Sequence, residues 1–187
     1  VCCGGGRLLF VSLIQGITEF WPVSSPGHLI LLPNLTNFPD QGQAIDVAAH
    51  VGTLCAVVLF FRRDVGLGLR GVIPLLRGRL DAPGARLAML LVIATVPVVI
   101  VGLILKLTGL DDMMRNLTVI GWTMLGFGIV LWWADQKSPV TRSEKDWSLR
   151  DAIVMGLWQA VALIPGTSRS GATITGARFL GFKRTDG

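Results

Sequence analysis

The stretch from residue 15 to 28, Gln-Gly-Ile-Thr-Glu-Phe-Trp-Pro-Val-Ser-Ser-Pro-Gly-His, restricts the folds open to this chain more than any other. One apolar run leads into it and another leads out. Between them stand Gln15, Glu19, Ser24, Ser25 and His28, interrupted by Pro22, Pro26 and Gly27. In a bilayer, polar and ionisable groups at depth are costly and mark functional sites. The composition says that a bilayer is the setting. Hydrophobic residues make up 51% of the chain and charged residues 16%, against about 25% charged in soluble domains. An all-α, polytopic membrane protein is the expected fold class. The chain carries 17 Lys+Arg against 12 Asp+Glu. Its basic residues lie mainly in loops between apolar runs, which fits membrane topology and excludes a nucleic-acid partner.

A membrane helix needs roughly 20 apolar residues. Residues 87–105 meet this, with Pro97 inside, and so do residues 117–134. Residues 47–61 are slightly short but extend back to Ala44. Cys55 in this run reads as a small core residue. Three other apolar segments fall short. Residues 8–20 stop at Trp21-Pro22, residues 29–35 are brief, and residues 152–164 stop at Pro165-Gly166. Short apolar segments cut by Pro and Gly predict re-entrant or broken helices, which are tolerated at depth where they face protein or a wet cavity.

Residues 62–86 hold six arginines, residues 106–116 hold Lys106 and Arg115, and residues 135–151 hold Lys137, Arg142, Lys145 and Arg150. The positive-inside rule puts the first and third of these loops in the cytoplasm. The first broken segment then enters from outside and the second from inside. Asp111 and Asp112 read as solvated loop residues.

Sliding the chain on itself by 144 residues aligns Gln15 with Gln159, Ser24 with Ser168, Ser25 with Arg169 and Gly27 with Gly171. Each copy is an apolar half-helix, a proline, serines, a glycine and apolar sequence again. Opposed entry of two such copies is the pattern of an inverted repeat whose broken helices meet near the midplane. The expectation is one membrane domain over residues 1–187, with a first repeat over about 8–105 and a second, incomplete, over about 117–187.

Gln15 and Glu19 are four apart and share a helix face, extended by Ser12. A carboxylate there ligates a divalent cation (Mg²⁺ or Ca²⁺), acts as base, or orients a neighbour. Ser24, Ser25 and Gly27 open a new helix, and a helix N-terminus with hydroxyls is an anion site. His28 exchanges a proton near neutral pH. The second loop adds Arg169, a donor fork matched to phosphate. It also brings the hydroxyls of Thr167, Ser168 and Ser170, with Gly166 and Gly171 admitting close backbone approach. The bland alternative is that these serines and glycines only satisfy backbone groups freed by the break. Together the groups suit phosphoryl transfer, which needs positioning, charge neutralisation and a proton shuttle. Asp46 and His50 also share a face, either lining the same cavity or serving as a cap and an interfacial histidine.

Gln15-x-x-x-Glu19, Pro22-Val-Ser-Ser-Pro-Gly-His28 and Pro165-Gly-Thr-Ser-Arg-Ser-Gly171 resemble the motifs of the undecaprenyl-pyrophosphate phosphatases, the bacitracin-resistance family of bacterial membrane proteins. Residues 46–64 also look familial. The resemblance implies a catalytic set of Glu19, Ser25, His28 and Arg169, supported by Gln15 and Ser24. It implies undecaprenyl diphosphate as substrate and inorganic phosphate as product. It further implies an inner-membrane location, interlocked inverted repeats and a site facing outward. A homodimer is admitted as an assembly. Members of the family are longer than this chain, so a C-terminally truncated fragment is expected. Gln15 is the weaker of the two residues the family allows there, which makes a metal role at that position doubtful. Ser25 and an activated water both remain open as nucleophile. The rival readings are a secondary transporter or flippase of a phosphorylated lipid, an acid-phosphatase-like lipid phosphatase and a scaffold. The second rival needs another histidine after Arg169, and the chain has only His28 and His50.

Overall fold

A computed structural model describes residues 4–22, 24, 27–28, 43–82, 84–110, 114, 116–138, 142–143 and 146–183. Among these residues there are seven helices and no strand. They are α1 (Gly4–Phe20), α2 (Gln43–Phe60), α3 (Arg62–Leu76), α4 (Ala85–Thr108), α5 (Leu117–Lys137), α6 (Leu149–Val161) and α7 (Arg169–Phe179). Residues 29–35, Asp111, Asp112 and Ser25 lie outside the described residues.

The helix ends follow local chemistry. Glycines in the left-handed region bracket α4, Gly84 at φ 81° and Gly109 at φ 69°. Asn116 caps α5 by accepting from the Thr118 N–H at 2.9 Å. Ser148 and Asp151 form a reciprocal capping box at the start of α6, which satisfies two donors that the first turn would otherwise orphan. α1 stops at Trp21-Pro22 and α6 stops before Pro165, where the apolar runs break.

α4 packs on α3 and α6, α7 on α5 and α6, and α1 on α2. Small residues set these approaches. A side chain at Gly156 of α6 would run into the Ala94 carbonyl and Pro97 of α4. The small buried clusters are Leu90, Ala94 and Ala152 between α4 and α6, and Met155, Ala177 and Phe182 between α6 and the end of α7. Close backbone approach at small residues is how helices associate where lipid removes the hydrophobic drive.

α4 and α5 are long and apolar enough to cross a membrane, at 24 and 21 residues, and most of their surface faces outward. Leu91, Val92, Ile100, Trp122 and Trp132 are all exposed. Cys55, expected in a core, is exposed on α2 as well. An apolar run in a membrane protein is under no pressure to bury itself against protein, because lipid solvates it equally well.

One end of the molecule is tied by three arginines. Arg142 reaches both carboxylate oxygens of Asp151, at 2.9 and 2.6 Å, and its backbone N–H donates to Gly181 O. Arg178, buried in α7, donates to the carbonyls of Phe182, Asp135 and Ser138. Arg86, at the start of α4, donates to the Trp147 carbonyl at 2.9 Å. These contacts fix α5, α6 and α7 against one another, and so fix the loop at the opposite end of α6 and α7.

Candidate active site where two loops meet

The site is built from α1, the turn after it, the turn between α6 and α7, and the middle of α5. On α1, Gln15 is fully buried and its Nε2 donates to Glu19 Oε2 at 2.9 Å. The i, i+4 spacing of the sequence produces this pair directly. Gln15 Oε1 is buried and meets no hydrogen-bond partner among the described residues. Ser12, read as extending the stripe, is exposed.

After Trp21-Pro22, Ser24 turns inward and is 3% exposed. Its Oγ accepts from the Gly27 N–H at 3.2 Å, and its carbonyl accepts from the His28 N–H. His28 Nδ1 also lies 2.7 Å from that carbonyl. A carbonyl only accepts, so Nδ1 carries the proton and Nε2 is the basic nitrogen of the neutral ring.

The second loop repeats this arrangement. Ser168 caps α7, its Oγ accepting from the Gly171 N–H at 3.1 Å and its carbonyl accepting from Ala172 N–H at 2.8 Å. The 144-residue offset pairs Ser24 with Ser168 and Gly27 with Gly171, and both pairs make the same side-chain-to-backbone bond. Ser168 and Ser170 hydroxyls are 3.0 Å apart. Thr167 Oγ1 is buried without a partner among the described residues. Arg169, the first residue of α7, is exposed at the helix N-terminus, where unpaired N–H groups and the helix dipole favour an anion.

The two loops touch. Ser170 Oγ donates to the Trp21 carbonyl at 3.2 Å, and a side chain at Gly171 would stand 3.3 Å from the Pro22 carbonyl. α5 lies beneath both. Thr123 Oγ1 donates to the Pro165 carbonyl at 2.6 Å. Gly166, at φ 92°, sits so close to α5 that a Cβ would overlap Thr123 Oγ1 and crowd the Ile120 carbonyl. Met124 Sδ is against Gly27. The result is a cleft of about 90 Å³, with Pro22 and Ser24 from one loop and Gly166, Ser168 and Gly171 from the other. Met124, Phe127, Gly128 and Leu131 of α5 form its apolar wall.

Ser24 and Ser168 are thus brought to one cleft, with Gly27, Ser170 and Gly171 beside it. Gln15 and Glu19 pair on α1, and His28 is held by Ser24. Ser25 falls outside the described residues, as does the side chain of Asp46. His50 is half-buried, and its carbonyl accepts from Thr53 Oγ1. Among the described residues no three His, Cys, Asp or Glu side chains gather as a metal cluster. The contribution of α5 was missed by sequence reasoning. Its one signal was Thr123, a hydroxyl in the middle of an apolar span.

The chain is similar to known proteins over nearly its whole length. The family model described as bacitracin resistance protein BacA matches residues 8–187. The chain is 67% identical over 180 residues to a protein of Dinoroseobacter shibae named undecaprenyl-diphosphatase, covering 96% of this chain and 67% of that one. A protein of the same name from Ruegeria pomeroyi is 66% identical over 181 residues, with 97% and 68% covered. Another from Teredinibacter turnerae is 49% identical over 184 residues, with 96% and 68% covered. The chain therefore spans about two thirds of the length of these relatives.

Proposed function

This chain belongs to the bacitracin resistance protein BacA family, a family of membrane proteins, and on that premise we propose that it is an undecaprenyl-diphosphatase. It hydrolyses undecaprenyl diphosphate to undecaprenyl phosphate and inorganic phosphate, which returns the lipid carrier to cell-wall synthesis. One observation carries the reading: two serine-capped turns, at Ser24 after Pro22 and at Ser168 before α7, converge on one cleft. That convergence is what a site for a dianionic headgroup requires.

The diphosphate lies against the N-terminus of α7, where Arg169 supplies charge and the loop N–H groups supply donors. The terminal phosphorus gains an oxygen from the nucleophile and loses its bond to the bridging oxygen, which leaves with the lipid monophosphate. The basic Nε2 of His28 is suited to take the nucleophile's proton. Glu19 orients that neighbourhood and keeps Gln15 in place. The nucleophile is a water, which gives inorganic phosphate in one step, or Ser25, whose phosphoserine a water then hydrolyses to inorganic phosphate and the free serine. Trapping a phosphoserine decides for Ser25, and Ser25→Ala retaining most of its turnover decides for water.

A divalent cation fits the donor set. Glu19 and the unpartnered Gln15 Oε1 offer hard oxygens, and Mg²⁺ is held by one or two such groups plus substrate phosphates. When bound, it neutralises charge on the diphosphate.

The finer architecture is part of the same proposal. A single domain holds two inverted repeats, over about 8–105 and 117–187, each with a re-entrant broken helix. The matching serine caps at an offset of 144 residues support this. The protein spans the bacterial inner membrane several times with its site facing outward, as the arginine distribution implies. The transporter or flippase reading draws no support from relatives that are each named a diphosphatase.

Phosphate release from undecaprenyl diphosphate by the full-length protein in detergent, with and without EDTA, tests the reaction and the metal. Arg169→Ala is expected to lose about 3 kcal/mol of transition-state stabilisation, roughly a hundred-fold in kcat. Normal turnover in that variant removes Arg169 and the shared cleft from the mechanism.

A further inference from the structure

We propose, resting on the reading above, that a groove along α5 between Gly128 and Trp132 carries the first isoprene units of the lipid tail away from the phosphate cleft. The cleft, at about 90 Å³, leaves no room for a polyprenyl chain, so the tail must leave it through a wall. The wall on the α5 side is apolar. A second, wider groove of about 290 Å³ runs on the same helix, lined by Met124, Leu125, Gly128, Ile129 and Trp132. Met124 and Gly128 belong to both, so the two spaces adjoin along one helix. One is polar where the loops meet, and the other is wholly lined by apolar side chains and a bare glycine.

The spacing makes this a track rather than a dimple. Residues 125, 128, 129 and 132 fall at i, i+3, i+4 and i+7, one strip along a helix. Gly128 leaves the helix backbone open at the junction, and a Cβ there would meet nothing within 4 Å among the described residues. Leu125 and Ile129 are each 57% exposed and Trp132 is 64% exposed. The strip thus opens sideways, where a chain arriving from the hydrocarbon would enter. The occupant is the prenyl tail because the groove adjoins the cleft assigned to the headgroup and is apolar where the cleft is polar. A bilayer acyl chain, or another part of a longer polypeptide lying over the strip, are the alternatives.

The test uses the full-length protein and two substitutions of the same kind. Gly128→Leu plugs the junction. Gly126→Leu changes the same helix at a position that also meets nothing within 4 Å and lines neither space. Filling the groove removes burial of one or two methylenes, so Gly128→Leu should raise KM for undecaprenyl diphosphate about ten-fold, with kcat within about two-fold. Inhibition by inorganic diphosphate, which bonds the loops and has no tail to lose, should change far less than the KM, and Gly126→Leu should match wild type throughout. Equal effects of the two substitutions overturn the proposal. So does a shift in diphosphate inhibition that parallels the KM, since the loops would then have moved. If wild-type protein releases no phosphate, the hydrolase reading fails on its own. The groove is then read by photolabelling with a benzophenone-tailed prenyl diphosphate. Label within α5 that Gly128→Leu abolishes supports the track, and label elsewhere sinks it.

Discussion

Asp151 gathers four hydrogen bonds on two oxygens. Arg142 donates twice, and Ser148 donates through its hydroxyl at 2.6 Å and its backbone N–H at 2.9 Å. Burial raises the carboxyl, but the bonds from Arg142 and Ser148 and the charge of Arg142 outweigh it and hold Asp151 at about 2. Its folded value lies below its ordinary one of 3.8, so the stability it contributes is fully present above about pH 4. That contribution is lost as pH falls from there through about 2. Asp151→Asn should therefore cost about 2 kcal/mol at neutral pH, the worth of hydrogen bonds to a charged group. Thermal unfolding in detergent checks this. Wild type should lose stability between about pH 4 and pH 2 relative to the variant, whose own curve should lack that component. Since Asp151 lies at the far end of α6 from the cleft, kcat of the folded variant should stay near wild type. A selective collapse of kcat would mean that the residue reaches the site by a route these contacts do not contain.

The two loops meet because α5 holds one of them down. Gly166 takes a left-handed conformation directly over Thr123, and the Thr123 hydroxyl bonds the Pro165 carbonyl. Gly166→Ala should cost about 1–3 kcal/mol for the backbone conformation alone, and the overlap with α5 should lift the loop. The expected result is a large loss of kcat in protein that still inserts. Thr123→Val should lower kcat while Thr123→Ser restores it, because serine keeps the donor. Equal activity in both variants would show that the bond does not position the loop. Much of this was readable beforehand. Trp21-Pro22 and Pro165-Gly166 stand where apolar runs stop, unlike Pro97 inside α4, and the i, i+4 pair of Gln15 and Glu19 follows from spacing. The 144-residue offset foretold that Ser24 and Ser168 play one role. The part of α5 was not readable. A helix that is apolar all round gives no periodicity to say which face meets protein, so Thr123, Met124 and Gly128 looked the same as lipid-facing positions. Cys55 misled for the same reason.

Among the described residues the molecule carries a broad apolar surface, of the kind that soluble monomers keep small. It runs over α4 and α5, whose apolar stretches are 17% and 11% buried. In a bilayer that surface is solvated, and the remaining question is which end faces which side. Residues 62–86, expected as a loop, fold as α3 and the turn that follows it, and the bond from Arg86 to the Trp147 carbonyl puts the end of this six-arginine segment beside residues 135–151, at one end of α4. That helix then rises about 36 Å, at 1.5 Å per residue, to Gly109 at the other end. The charge count and the contact agree on which loops share a side, and the positive-inside rule names that side cytoplasmic. In a background with Cys2, Cys3 and Cys55 replaced, single cysteines at Arg79, Leu110 and Lys137 read the arrangement. A membrane-impermeant maleimide added to intact cells should label Leu110→Cys, and should label Arg79→Cys and Lys137→Cys after permeabilisation alone. Labelling of Arg79→Cys from outside would invert the molecule and turn the phosphate cleft toward the cytoplasm. Opposite labelling of Arg79→Cys and Lys137→Cys would break the shared end that Arg86 and Trp147 define, and with it the inverted pairing of the two loops.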